Sequence, residues 1–156
     1  FQSVLTKLAL PTPSNAPSVD LVIPVGEIAP GRKARMAYSV QRSAEVAKWV
    51  KQTYNDTCQV CRVRLETPGN ATSDAAHIKG LGSPHDGPDI IENILCLCPN
   101  HHRTFDAGAW TITDDLKVKD LISGEIGADL YVHDSHKIQI DCVQHHRQFF
   151  ASSSTS

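Results

Sequence analysis

The stretch LCLCPNHHRTFDAG, Leu95 to Gly108, decides how this chain is read. An apolar run ends at Cys98, Pro99 suits the first position of a helix and Gly108 suits the position just past its end. The sequence therefore predicts a two-turn helix over Pro99–Ala107 with Cys98 as its N-cap. Successive helical side chains are turned roughly 100° from one another, so His101 and His102 cannot face the same way. Cys98 and His101 form a C-x2-H pair that can aim two ligands at one ion from a helix start. Cys58 and Cys61 form a C-x2-C pair that completes a tetrahedron of the kind zinc favours. His102 has Asp106 at i+4, while His101 shares its own stripe with Phe105, which should enter the core. The adjacent histidines are expected to serve two sites, one structural and one functional.

Four of the five cysteines and four of the eight histidines fall between Cys58 and His102. An odd cysteine count concentrated in this way argues for metal binding in a reducing compartment, here the cytoplasm, rather than a disulfide framework. Cys96 alternates with Leu95 and Leu97 and reads, like Cys142, as a small buried hydrophobe. The 156 residues suit one domain plus extensions. With 40% hydrophobic and 21% charged residues, and no apolar run near the ~20 residues that would span a bilayer, the chain reads as soluble with no membrane segment. The formal net charge of −2 conceals a segregation. Arg32 to Lys79 carries nine Lys/Arg against four Asp/Glu, and Gly80 to Ser156 carries five against eleven. The first residue, Phe1, reads as that of a processed protein or a piece of a longer one with upstream domains missing.

Residues 1–40 read as a proline-rich extended arm or linker with a strand at Leu21 to Val25, residues 41–150 as the zinc-containing domain, and residues 151–156 as a disordered tail. Val46, Val50 and Tyr54 at i, i+4 and i+8 predict an amphipathic helix from Ser43 to Asn55 that delivers the chain to Cys58. CQVCRVRLE reads as a knuckle running into a strand, SDAAHIKG as a second strand, LGSPHDGPD as a loop and NILCLC as an extended return. AWTITDD, LKVKD, DLYVHD and HKIQI read as short strands and DCVQHHRQFF as a closing helix. His85, His145 and His146 read as surface histidines.

His77 at a strand end, Asn93 after a Gly/Asp-rich loop and His102 in a short helix, with zinc half-sites on either side, resemble the His-Asn-His (HNH, ββα-metal) endonucleases. The strings CQVC, LETPGN, DAAHIKGLGSPHDGPD and ENILCLCPNHHRTFDAG look most like the HNH domain of McrA-type modification-dependent restriction endonucleases, often fused to a base-flipping SRA domain. The resemblance implies an α+β fold with a ββα-metal core and a structural zinc knuckle, flanked by an N-terminal arm and helix and a C-terminal strand and helix extension.

It also implies metal-dependent hydrolysis of DNA phosphodiester bonds. His77 would be the general base, Asn93 the residue that orients it, and His102 a ligand of the catalytic divalent ion with Asp106 one turn later. Many relatives carry an acid or histidine immediately before the base, where this chain has Ala76, so Asp74 is the candidate replacement ligand. Mg²⁺ or Mn²⁺ suits such a site, with Co²⁺ and Ni²⁺ as alternatives. Cys58, Cys61, Cys98 and His101 would hold the structural Zn²⁺. Arg62, Arg64, Lys79 and Arg103 are the candidate DNA phosphate contacts. The partner would be DNA, modified or not, and a homodimer is the arrangement in which two such sites break both strands. The rival reading is a treble-clef-like zinc module that binds nucleic acid or protein without catalysis. Such a module needs no combination of His77, Asn93, His102 and Asp106.

Overall fold

The computed structural model describes residues 42–153, and the expected arm, its strand and residues 154–156 lie outside the described residues. Helix α1 (Ala44–Thr53) starts where Ser43 Oγ accepts the Val46 N–H, and it ends as Asn55 and Asp56 take positive φ, a conformation their short polar side chains tolerate. A two-residue hairpin of β1 (Leu65–Glu66) and β2 (Ala71–Thr72) follows the Cys58–Cys61 knuckle. Next comes β3 (Asp74–His77), a long loop, a 3₁₀ turn at Ile91–Asn93, β4 (Ile94–Leu97) and α2 (Pro99–Asp106). Strands β3 and β4 pair antiparallel, with Asp74 opposite Leu97 and His77 opposite Ile94. They form the ββα core of an α+β fold.

Strand β4 is buried along its whole length, and alternation divides its side chains between two cores. Ile94 and Cys96 pack with Val50 of α1 and with Tyr54 at its C-cap, whereas Leu95 and Leu97 pack with Phe105, Ile112 and Val143. Cys96 and Cys142 are buried as expected. Helix α2 has Cys98 at its N-cap and Pro99 at its first position. It stops at Gly108, whose φ of +72° and whose packing against the Phe150 ring leave no room for a Cβ.

A three-stranded meander follows, β5 (Trp110–Ile112), β6 (Lys117–Asp120) and β7 (Ile126–Asp129), and α3 (Ile140–Ser153) closes the chain. Three expectations change here. DLYVHD contributes only its first residue to a strand, and HKIQI forms none. In this region the Leu130 N–H bonds Leu116, the Tyr131 N–H bonds Gln59 and the Gln139 N–H bonds Glu92, so the backbone is satisfied by three separate elements rather than by one ladder. The disordered tail expected over 151–156 is helical over its first three residues, because α3 continues through Ser153.

Candidate functional site

Two clusters grow from the two faces of α2. On one, Cys98 Sγ lies 3.2 Å and Cys58 Sγ 3.6 Å from His101 Nδ1, and Cys61 Sγ lies 3.9 Å from Cys98 Sγ. All four donor atoms fall within 4.8 Å of one another. A tetrahedral ion with Zn–S near 2.3 Å requires S···S separations of about 3.8 Å, so the donor set fits such an ion. Electrostatics points the same way. For Cys58, burial opposes ionisation but hydrogen bonds from His101 and nearby N–H groups win and bring its thiol down to about 6. Burial and the neighbouring sulfurs push Cys61 up to about 12. Thiols this close cannot all ionise without a cation between them.

The knuckle is tied down by buried Gln59. Its Oε1 accepts the Cys96 N–H at 2.8 Å, and its Nε2 donates to the Tyr131 carbonyl at 2.6 Å.

On the other face, His102 Nδ1 lies 3.0 Å from Asp74 Oδ2 and Nε2 lies 3.3 Å from Asp106 Oδ2. The hydrogen bond to Asp106 raises the His102 pKa, burial opposes this, and Asp74 adds to the rise. Ala76, which precedes the strand-end histidine, is wholly buried in the core, and the acid beside His102 on the same strand face is Asp74, two residues earlier. A ring nitrogen that binds an ion has no proton to donate. Either carboxylate could therefore share an ion with His102 while the other orients the ring.

His77 and His102 line one cavity of about 240 Å³ together with Asp106. Asn93, wholly buried, places the strand-end histidine by clamping the loop behind it. Its Oδ1 accepts the Lys79 N–H at 2.9 Å, and its Nδ2 donates to the carbonyls of Lys79 at 2.9 Å and Pro88 at 2.8 Å. Pro88 precedes Asp89, whose Oδ1 lies 2.9 Å from His77 Nε2.

Sequence reading missed Asp89. It also misplaced three histidines. His85 Nδ1 and His145 Nε2 lie 3.0 Å apart at the cavity wall, where Gly80 leaves space for the His85 ring. His146 is buried, stacked on Phe105 with centroids 3.8 Å apart. Its Nδ1 accepts the Thr111 hydroxyl at 2.9 Å, and its Nε2–H donates to the Phe105 carbonyl at 3.3 Å, at the C-terminal turn of α2.

The four candidate phosphate contacts do not line this cavity, whereas Arg42 does. Arg62 is exposed and stands 4.0 Å over the Tyr131 ring, Arg64 pairs with Glu66, Arg103 is exposed on α2, and Lys79 is half-buried.

A ββα core, a Cys/His cluster and a His/Asp cavity thus occur together in one domain. Residues 58–113 match the HNH endonuclease family HNH_2. The chain is also similar in structure to a modification dependent TagI restriction endonuclease, with a TM-score of 0.68 and 47% identity over 69% of this chain and 38% of that one. The chain thus carries an HNH endonuclease domain that resembles those of modification-dependent restriction enzymes. It spans well under half the length of that relative. No curated protein matches it.

Proposed function

We propose that this chain is the cleavage module of a modification-dependent restriction enzyme and hydrolyses DNA phosphodiester bonds with a divalent metal ion. The observation that carries the reading is the meeting of His77 with His102 and Asp106 in one cavity, apart from the Cys/His cluster. A non-catalytic zinc module needs only the cluster.

In this reading His77 takes a proton from water, the water oxygen bonds to phosphorus, and the bond to the leaving 3′ oxygen breaks, with that oxygen protonated from solvent. Asn93 holds the loop that carries His77. His102 with Asp106 or Asp74 would hold Mg²⁺ or Mn²⁺, which when bound stabilises charge on the phosphate and the leaving oxygen. Cys58, Cys61, Cys98 and His101 would hold Zn²⁺ structurally; with all four positions filled by protein, no open position remains there for substrate. Arg42 joins Arg62, Arg64, Lys79 and Arg103 as a candidate phosphate contact. Recognition of modified DNA belongs to a domain outside this chain, and a homodimer would place two sites on two strands. Zinc ligation by Cys58, Cys61 and Cys98 suits a reducing compartment such as the cytoplasm; among the described residues no helix is long and apolar enough to cross a membrane.

Plasmid cleavage by the full chain with Mg²⁺ or Mn²⁺, with EDTA, and with His77→Ala tests the reading. Cleavage that requires the metal and falls at least ~10²-fold in the variant is expected. Retained zinc and fold with no metal-dependent cleavage of modified or unmodified DNA would favour the binding module.

A further inference from the structure

Asp89 lies in the loop between β3 and β4 and bridges two elements that are distant in sequence. Its Oδ1 faces His77 Nε2 at 2.9 Å, and its Oδ2 accepts the backbone N–H of Ser43, at the start of α1, at 2.5 Å. Burial raises the Asp89 pKa, but the Ser43 N–H, the His77 ring and the charge of Arg42 outweigh it and hold the carboxyl below its ordinary range. An ionised carboxylate only accepts hydrogen bonds, so the nitrogen facing it must carry a proton. His77 Nδ1 has no hydrogen-bond partner among the described residues. None of the buried side-chain nitrogens or oxygens there lacks one, so Nδ1 is open to solvent, on a ring that lines the cavity.

We propose that Asp89, itself oriented by the Ser43 N–H, fixes His77 in the Nε2–H tautomer and thereby makes Nδ1 the nitrogen that takes the proton from water. Asp89 is a positioning residue, and the proposal rests on the reading of His77 as general base. The loop is built for this contact. Asn93 anchors Pro88, the residue before Asp89, and the Gly87 N–H bonds the Gly80 carbonyl at 2.8 Å, so both ends of the loop are held where the carboxylate meets the ring.

The Ser43 contact gives the proposal an unusual signature. In Asp89→Asn the amide must present its oxygen to the Ser43 N–H, because the reverse orientation sets two donors against each other. The NH₂ then faces His77 Nε2 and demands the Nδ1–H tautomer, in which Nδ1 is no longer basic. In Asp89→Ala neither tautomer is imposed. The isosteric variant should therefore be the worse enzyme. Replacing the orienting carboxylate by an amide in a Ser-His-Asp triad costs about 10⁴-fold through the wrong tautomer, and a loss of at least ~10³-fold is expected for Asp89→Asn against roughly 10-fold for Asp89→Ala.

The test pairs cleavage kinetics with ¹⁵N NMR of the His77 ring in the metal-loaded full chain. Nε2–H is expected in the parent, Nδ1–H in Asp89→Asn and a mixture in Asp89→Ala, with KM for DNA unchanged. An Asp89→Asn protein that keeps the Nε2–H tautomer, or loses less activity than Asp89→Ala, overturns the proposal. If Asp89→Asn fails to fold, the ring spectrum of Asp89→Ala decides, and a single Nε2–H tautomer there also overturns it. Undiminished cleavage by His77→Ala removes the base reading, and with it the catalytic half of the proposal, while the ring spectra still report whether Asp89 sets the tautomer.

Discussion

His101 and His102 are neighbours in the chain and face different clusters. His101 Nδ1 sits 3.2 Å from Cys98 Sγ, and His102 reaches Asp74 and Asp106 with its two ring nitrogens. The roughly 100° between successive helical side chains is what separates them. Their alanine variants should therefore fail in different ways. His101→Ala is expected to lower zinc content and weaken the fold, since metal binding and folding share free energy, and Cys58→Ser should do the same. His102→Ala is expected to keep zinc and the thermal midpoint while losing metal-dependent cleavage. Elemental analysis alongside plasmid nicking checks both. Zinc lost from His102→Ala but retained by His101→Ala would reverse the assignment.

A second prediction concerns acid stability. Burial drives His146 down from 6.5 to about 4, where it remains neutral against Phe105 and Thr111. Between those values the unfolded chain binds a proton that the folded chain refuses, so this contribution to stability is complete above pH 6.5 and is lost as pH falls toward 4. The shift corresponds to about 3 kcal/mol. A metal held by the Cys/His cluster would also be lost in acid, so the difference between proteins is the useful quantity. His146→Leu should be less stable than the parent at pH 7, because the Thr111 hydroxyl loses its acceptor, and should show a shallower decline of thermal midpoint between pH 6.5 and 4. Parallel declines would place His146 outside the acid response.

Helix α2 and the two halves of the Cys/His cluster were legible because their signals are local: Pro99, Gly108 and the two-residue spacings lie within a few positions of what they control. The cavity was not, beyond His77, His102 and Asp106. Its remaining parts meet across long separations, such as His85 with His145 and Asp89 with Ser43, which no periodicity records. His146 was misread for a related reason. A histidine beside polar neighbours on a terminal helix looks solvated until Phe105 and Thr111 are seen to cover it. HKIQI alternates like a strand, yet among the described residues its backbone bonds a distant element only through the Gln139 N–H to the Glu92 carbonyl, and no ladder forms.

Gly87 gives a third prediction, for the loop that carries Asp89. A Cβ at this position would run into the backbone carbonyls of Lys79 and Gly80, which cannot move without releasing the Asn93 clamp. Gly87→Ala is expected to cost about 1–3 kcal/mol of stability, as overpacking does, and to lower cleavage well beyond what the lost folded fraction explains. Gly69→Ala, with nothing within 4 Å of the added atom, is the control and should leave both unchanged. Equal behaviour of the two variants would show that the loop yields freely.

The last prediction separates the two carboxylates at His102. Asp106 lines the cavity with His102 and His77, and its i+4 spacing brings Oδ2 to His102 Nε2; Asp74 approaches the opposite nitrogen from β3 and does not line the cavity. A ligating histidine holds its metal with one nitrogen and is oriented through the other, and loss of such an orienting partner typically costs 10–100-fold in metal affinity or activity. Asp106→Ala is therefore expected to abolish cleavage at any Mg²⁺ concentration. Asp74→Ala should keep cleavage but raise the Mg²⁺ concentration for half-maximal rate by at least ~10-fold. Titration of rate against Mg²⁺ at fixed DNA reads both, with zinc content as the check on folding. The opposite ranking would make Asp74 the ligand in place of the residue lost at Ala76. The ion would then lie on the β3 side of the ring, with Asp106 orienting it from the helix.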